Sequence, residues 1–275
     1  MSDSLSHLDD YPVDGALTAE AALATAWSAL ENFHDDLVVV GGLAIYLHTR
    51  NQVTPLYRPT PTLDVDFGIT LGADAGMASP AGFALAMADF KEDEKGRLFR
   101  TSHHGKLYLD FLSESPPATS GTRNVSDLHT SIFPGINRAL CDPIQRPIKL
   151  KNSNGDEKIL QIPVANYGPL LVLKLNAFAK RTGPKRGKDA YDILTLVRSS
   201  EDGVTAVVRS FGEEKKSDNT GLDLALETLR NHFMDASQLG PTLADQFYHG
   251  PSAPADSSLR LREDLVTVAL ALINS

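Results

Sequence analysis

Residues 37–50 read LVVVGGLAIYLHTR, and residues 58–67 read RPTPTLDVDF. Leu37 to Val40 is a continuous apolar run that suits a buried strand. Gly41-Gly42 punctuates it, and Leu43 to Leu47 has the composition of a helix packing back on a sheet. The expected local structure is strand, tight turn, helix. Two adjacent glycines let backbone N–H groups approach a ligand with no Cβ in the way. The positive end of the following helix points to the same place, which favours an anion such as phosphate. In the second stretch Asp64 and Asp66 alternate with Leu63, Val65 and Phe67, so on a strand both carboxylates leave one face and the apolar side chains leave the other. Two acids on one edge suit Mg²⁺, a hard cation that takes oxygen ligands. Taken singly, each half also has an ordinary structural reading, a tight turn and a solvated strand face.

The combination is more specific. A Gly-Gly turn after a strand, a helix, then Asp64-x-Asp66 with Arg and Thr before it resembles the nucleotidyltransferase fold of the DNA polymerase β superfamily.

At 275 residues the chain has room for one large domain or two of ordinary size and can bury roughly three quarters of its unfolded surface. Its hydrophobic and charged fractions, 42% and 22%, are those of a globular protein. The single cysteine, Cys141, excludes an internal disulfide and a multi-cysteine metal site, which fits a reducing cytoplasm, the expected location. No apolar stretch approaches the roughly 18 residues needed to span a bilayer, and the N-terminus has no basic region followed by an apolar run. A net charge of −9 argues against non-specific coating of nucleic acid and leaves a local basic segment, Lys180, Arg181, Lys185, Arg186 and Lys188, as the place for RNA to dock. P-loop, Gly-x-Ser-x-Gly and paired-cysteine zinc motifs are all missing from the sequence.

Thr18 is the expected N-cap of a first helix that places Leu23, Trp27 and Leu30 at helical spacing, with Trp27 in the core. Ser79-Pro80 reads as the start of a second helix. Lys91 to Arg97 reads as a solvated turn. Leu98–Ser102 and Lys106–Leu112 read as strands joined by a turn at His103, His104 and Gly105; adjacent histidines on a strand point opposite ways, which favours a turn over a metal site. In KLYLDFL, Asp110 shares a face with Tyr108 opposite Leu107, Leu109 and Phe111, so pairing this strand with Asp64-x-Asp66 gathers three carboxylates. The Ser-, Pro-, Thr- and Gly-rich 113–126 is the expected boundary or loop. Asn152-Ser-Asn-Gly155 signals a hairpin, and helices are expected from Leu170 onward.

The second informative stretch, LLVLKLNAFAKRTGPKRGKDAYDILTLV, starts at Leu170. Lys174 and Arg181 fall on one helix face, apart from the Leu171, Leu175 and Phe178 stripe. Beyond Gly183-Pro184, Asp189 and Asp192 share a face of the next helix. This Lys-Leu-x-Ala helix followed by Lys-Asp-x-x-Asp, downstream of Gly-Gly, Asp-x-Asp and Leu-Asp-Phe, resembles the AbiEii-type nucleotidyltransferase toxins of bacterial toxin–antitoxin systems. The resemblance implies Gly41 and Gly42 at the triphosphate of an NTP, Asp64 and Asp66 on Mg²⁺, Asp110 as a third catalytic carboxylate and metal ligand, Lys174 on a phosphate and Asp192 as a base. It also implies a cognate antitoxin. Arg181 is the second cation expected at the nucleotide. The sequence departs from the family at Arg58, which lies farther ahead of Asp64, across Pro59 and Pro61, than the family's arginine does.

The expectation is an α/β fold, a nucleotidyltransferase mixed sheet with flanking helices over residues 15–115. A mainly helical domain over 116–275 would contribute Lys174 and Asp192. The reaction would move a nucleotidyl group from an NTP to an acceptor hydroxyl, with the 3′ end of tRNA leading and a protein side chain as the other acceptor. A small-molecule nucleotidyltransferase and a non-catalytic protein of the same fold are the alternatives.

Overall fold

Leu37–Val40 forms a strand with all four residues buried, and at Gly41 the chain turns into a helix, Gly41–Thr49, as the apolar run and the glycines dictate. The structure is a computed structural model that describes residues 5–52, 57–70, 80–125, 127–151, 157–250 and 255–275. The chain divides into two compact units, one of residues 13–47 and 62–166, the other of residues 1–12, 48–61 and 167–275.

The first unit is built on a mixed sheet. In chain order its elements are α1 (Gly15–Ala29), β1 (Leu37–Val40), α2 (Gly41–Thr49), which runs on past the unit's edge, β2 (Val65–Ile69), α3 (Ala81–Met87), β3 (Lys91–Glu92), β4 (Leu98–Ser102), β5 (Gly105–Ser113), β6 (Thr122–Val125), β7 (Leu128–Ile132), α4 (Ile136–Cys141), β8 (Ile144–Lys151) and β9 (Glu157–Val164). Among the described residues the central order is β3-β4-β5-β2-β1-β9-β8. β1 runs antiparallel to β2 and parallel to β9, and β2 runs parallel to β5. β5 is long enough to pair with β4 through its first half and with β7 through its last residues. Its burial alternates as expected, with Leu107, Leu109 and Phe111 inside and Tyr108 and Asp110 half-exposed. Phe67 stacks on Phe111 and on Trp27, so the apolar faces of β2 and β5 and the buried Trp27 of α1 form one core.

The expected boundary near residue 115 falls inside this sheet. β6 lies within 113–126, where a loop was expected, and forms a ladder with β7, and the β8–β9 hairpin joins β1. The physical reason is that β1 and β5 present backbone donors and acceptors on both sides, and these later strands satisfy them. Lys91-Glu92, expected in a solvated turn, is a short edge strand. The first helix begins at Gly15 with Asp14 as its N-cap, ahead of the expected Thr18. α3 starts after Pro80. Ser79 and the hairpin turn expected at Asn152–Gly155 lie outside the described residues.

The second unit contains α5 (Tyr167–Lys180), α6 (Pro184–Ser199), α7 (Gly203–Glu214), α8 (Leu222–His232), α9 (Leu239–His249) and α10 (Ala255–Asn274). Leu170, Leu171, Leu175 and Phe178 of α5 and Ile193, Leu196 and Val197 of α6 are fully buried. α9 opens with Gly240-Pro241 in its first turn, where proline is tolerated. Among the described residues no helix is long and apolar enough to cross a membrane.

Candidate active site

In the sheet unit, strand register decides which acids meet. Val40 lies opposite Asp66 on the antiparallel side, and Asp66 lies opposite Asp110 on the parallel side. Laterally paired residues put their side chains on the same sheet face, so these two carboxylates are neighbours. Asp64, just before β2, is half-exposed like Asp66. Gly41, the residue after Val40, has φ +71°, and a Cβ added there would fall inside the Asp66 carboxylate, 2.7 Å from its Cγ. The glycine is therefore required twice, by its left-handed backbone and by the closeness of Asp66. Gly42 is buried in the first turn of α2.

Asp110 is held by Arg97, whose Nε and Nη2 donate to the two carboxylate oxygens at 3.0 and 2.5 Å. The same guanidinium lies over the Tyr108 ring, 3.9 Å from its centroid. The Asp110 hydrogen bonds, with Asp64 as a further nearby charge, hold Arg97 above the ordinary arginine range. A cleft of about 230 Å³ opens on this pair, lined also by Glu92, Asp127, His129 and Ser131. It is smaller than a typical site for a whole drug-sized ligand, so it has room for part of a nucleotide. Arg97 was expected in a solvated turn. The signal was present: counting outward from the His103-His104 turn, one step past the Leu98–Leu109 pair brings Arg97 opposite Asp110.

In the helical unit, α5 and α6 bring their charged residues into a buried network. Lys174 Nζ donates to Asp192 Oδ2 at 2.7 Å and to Asp189 Oδ1 at 3.2 Å. Lys188 Nζ donates to the same Asp192 oxygen at 2.9 Å, and Arg181 Nη1 binds both oxygens of Asp189 at 2.9 and 2.7 Å. Lys174, Lys188, Asp189 and Asp192 are all buried. Burial pulls the Lys174 ammonium down, but Asp192 and Asp189 outweigh it and hold it above the usual lysine value. For Lys188 burial prevails, and its pKa is lowered. Burial pushes Asp192 up, Lys174 and Lys188 outweigh that, and it stays below the ordinary carboxylate range. Its Oδ1 is buried with no hydrogen-bond partner among the described residues.

Two expectations about cations change. Lys188 is a buried part of this network, not a member of a surface patch, because Asp192 sits one helical turn away and accepts its ammonium. Arg186 lies against the Phe178 ring. Lys180, Arg181 and Lys185 are exposed. Arg58 belongs to the helical unit, where its guanidinium pairs with Asp9 at 2.6 Å and its carbonyl accepts from the Tyr191 hydroxyl at 2.7 Å.

Oxygen donors dominate the sheet-unit site, and this matches what Mg²⁺ takes. Asp64 and Asp66 fit that ion, with Asp66 fixed in place by its packing on Gly41. Both oxygens of Asp110 already accept from Arg97, so Asp110 would reach a metal only through its remaining lone pairs.

One family model matches the chain, that of the family described as Nucleotidyl transferase AbiEii toxin, Type IV TA system, over residues 23–259. The comparisons with curated proteins and with solved structures gave no match.

Proposed function

The chain belongs to the AbiEii family of nucleotidyl transferase toxins of type IV toxin–antitoxin systems, and on that premise we propose that it transfers a nucleotidyl group from an NTP, with Mg²⁺, to a hydroxyl of RNA. The 3′ end of tRNA is the first acceptor to test. The observation that carries this reading is the lateral pairing of Asp66 with Asp110 beside the left-handed Gly41. That face offers carboxylates to a hard cation and a helix N-terminus to a phosphate.

In this mechanism the acceptor oxygen attacks the α-phosphorus and pyrophosphate leaves. Asp64 and Asp66 hold Mg²⁺, which when bound neutralises charge on the phosphates. The Gly41-Gly42 turn lets backbone N–H groups of α2 approach the triphosphate. Arg97 fixes Asp110 by a bidentate pair, so that Asp110 is oriented before the substrate arrives. In the helical unit Lys174 supplies positive charge for a phosphate. Three cations and two carboxylates leave that network cationic, which supports the assignment. Asp192, expected as a base, is made less basic by the two ammonium groups on it. We assign it the task of orienting Lys174, because a general base works best with a pKa near the operating pH. The exposed Lys180 and Lys185 are the cations offered to an RNA backbone. Family membership also implies an antitoxin partner.

The test is incubation of the full chain with each labelled NTP, Mg²⁺ and total RNA. Label in RNA that disappears with Asp66→Ala supports the reading. Label in protein moves the acceptor to a side chain, and no label in any macromolecule favours a small-molecule acceptor.

A further inference from the structure

His103 and His104 lie in the turn of the β4–β5 hairpin, between Ser102 and Gly105. On a regular strand their rings would leave opposite faces. In the turn, where Gly105 takes φ +100°, both swing to one side. Their ring centroids are 3.9 Å apart and the planes are inclined at 46°. Both Nε2 atoms converge on the Asp14 carboxylate, His103 on Oδ2 at 2.9 Å and His104 on Oδ1 at 2.7 Å.

Asp14 is the N-cap residue of α1 but makes no side-chain cap hydrogen bond. An aspartate there ordinarily accepts from a backbone N–H of the first turn. This one is turned to the two imidazoles instead, and the hydrogen bond from His103, the largest influence, helps hold its carboxyl below the usual range. One ligand atom from each residue lies within 4.8 Å of the others.

From this geometry we propose that Asp14, His103 and His104 form a binding site for a divalent transition-metal ion, with Zn²⁺ as the best fit. Zinc binds imidazole nitrogen and carboxylate oxygen at about 2.0–2.2 Å, which places tetrahedral donors about 3.3 Å from one another. The three side chains reach that spacing by small rotations. Two imidazoles with one carboxylate select zinc and its neighbours over Mg²⁺, which prefers oxygen, so this site does not compete for the ion expected at Asp64 and Asp66. Three protein ligands leave a fourth position for water. The ligands are 89 and 90 residues apart in sequence, so the ion would tie the start of α1 to the tip of the hairpin whose strand β5 carries Asp110.

The test uses tag-free full chain, stripped by chelator and then held in millimolar Mg²⁺ so that the oxygen-donor site is satisfied. Zn²⁺ is titrated by calorimetry, and Co²⁺ is followed by its visible absorption. The wild type is expected to take up one more equivalent than Asp14→Ala, His103→Ala and His104→Ala. The Zn²⁺-induced rise in thermal midpoint is expected to vanish in each variant. His129→Ala, a change at an exposed histidine elsewhere in the same unit, keeps the wild-type uptake. Asp14 and His103 are about half or more exposed and His104 is more covered, so unchanged metal-free melting is the check that all three variants fold. Equal uptake by the wild type and all three variants, or no micromolar uptake by the wild type, overturns the site and leaves a hydrogen-bonded trio.

Discussion

Gly41→Ala separates the site geometry from general stability. The residue lies at φ +71°, where an L-residue with a Cβ loses about 1–2 kcal/mol. For a chain of this length that lowers the thermal midpoint by about 2–8 °C. The new methyl would also sit 2.7 Å from Asp66 Cγ and 3.0 Å from Asp66 Cβ, where carbon atoms prefer about 3.5–4.0 Å. The nearest atom, Asp66 Oδ2, would lie only 2.0 Å away, so relief requires the Asp66 carboxylate to move by more than an ångström. A displacement of about 1 Å in a reacting constellation costs on the order of 100-fold in rate. The expected result is therefore a modest loss of stability with a loss of transfer far larger than the midpoint shift explains. The assay pairs initial rates of label transfer from the NTP that the wild type uses with thermal denaturation of the same sample. Gly41→Asn sharpens it, since asparagine tolerates the left-handed region but still carries the Cβ. It should recover part of the stability and none of the rate. Gly41→Ala working at the wild-type rate would refute the reasoning, and Gly41→Asn restoring both quantities would reduce it to backbone strain.

Asp64→Ala and Asp66→Ala should each abolish transfer and leave the thermal midpoint nearly unchanged, because half-exposed carboxylates add little to stability; full activity in either removes it from the metal site. Arg97→Ala should lower transfer at least roughly tenfold, and Arg97→Lys should not restore it, since a point charge cannot reproduce the bidentate grip on Asp110; rescue by lysine would mean that only charge matters. Asp192 has a lowered carboxyl pKa, so its share of stability is present above the unfolded value of about 3.9 and is lost as pH falls through the folded value. Asp192→Asn should therefore cost about 3–5 kcal/mol at neutral pH and less near pH 3, measured by urea denaturation; an equal loss at both values contradicts the ion network. If RNA docks on Lys180 and Lys185, neutralising both should reduce the slope of log affinity against log salt by about two, whereas an unchanged slope moves the acceptor elsewhere.

What the sequence determined by itself is what short-range pattern can encode. The apolar run Leu37–Val40, the Gly41-Gly42 break and the alternation around Asp66 and Asp110 each depend on neighbours within a few residues. Their strands, faces and turn follow from backbone geometry alone, as does the burial of Trp27 within its helix. The pairing of Arg97 with Asp110 was one counting step from the hairpin turn that the sequence already signalled. Tertiary structure alone decided the remainder. β7 is a strand because β5 offers it a partner along its last residues, and β6 is one because it pairs in turn with β7, although residues 113–126, which hold β6, read as loop. Lys188 lies inside and Lys185 outside because the packing of α6 on α5 turns one face toward Lys174, and a helical period leaves open which polar face will be covered. Asp14, His103 and His104 meet because the sheet folds a hairpin tip back to the start of α1, a contact across some ninety residues that local periodicity has no means to record.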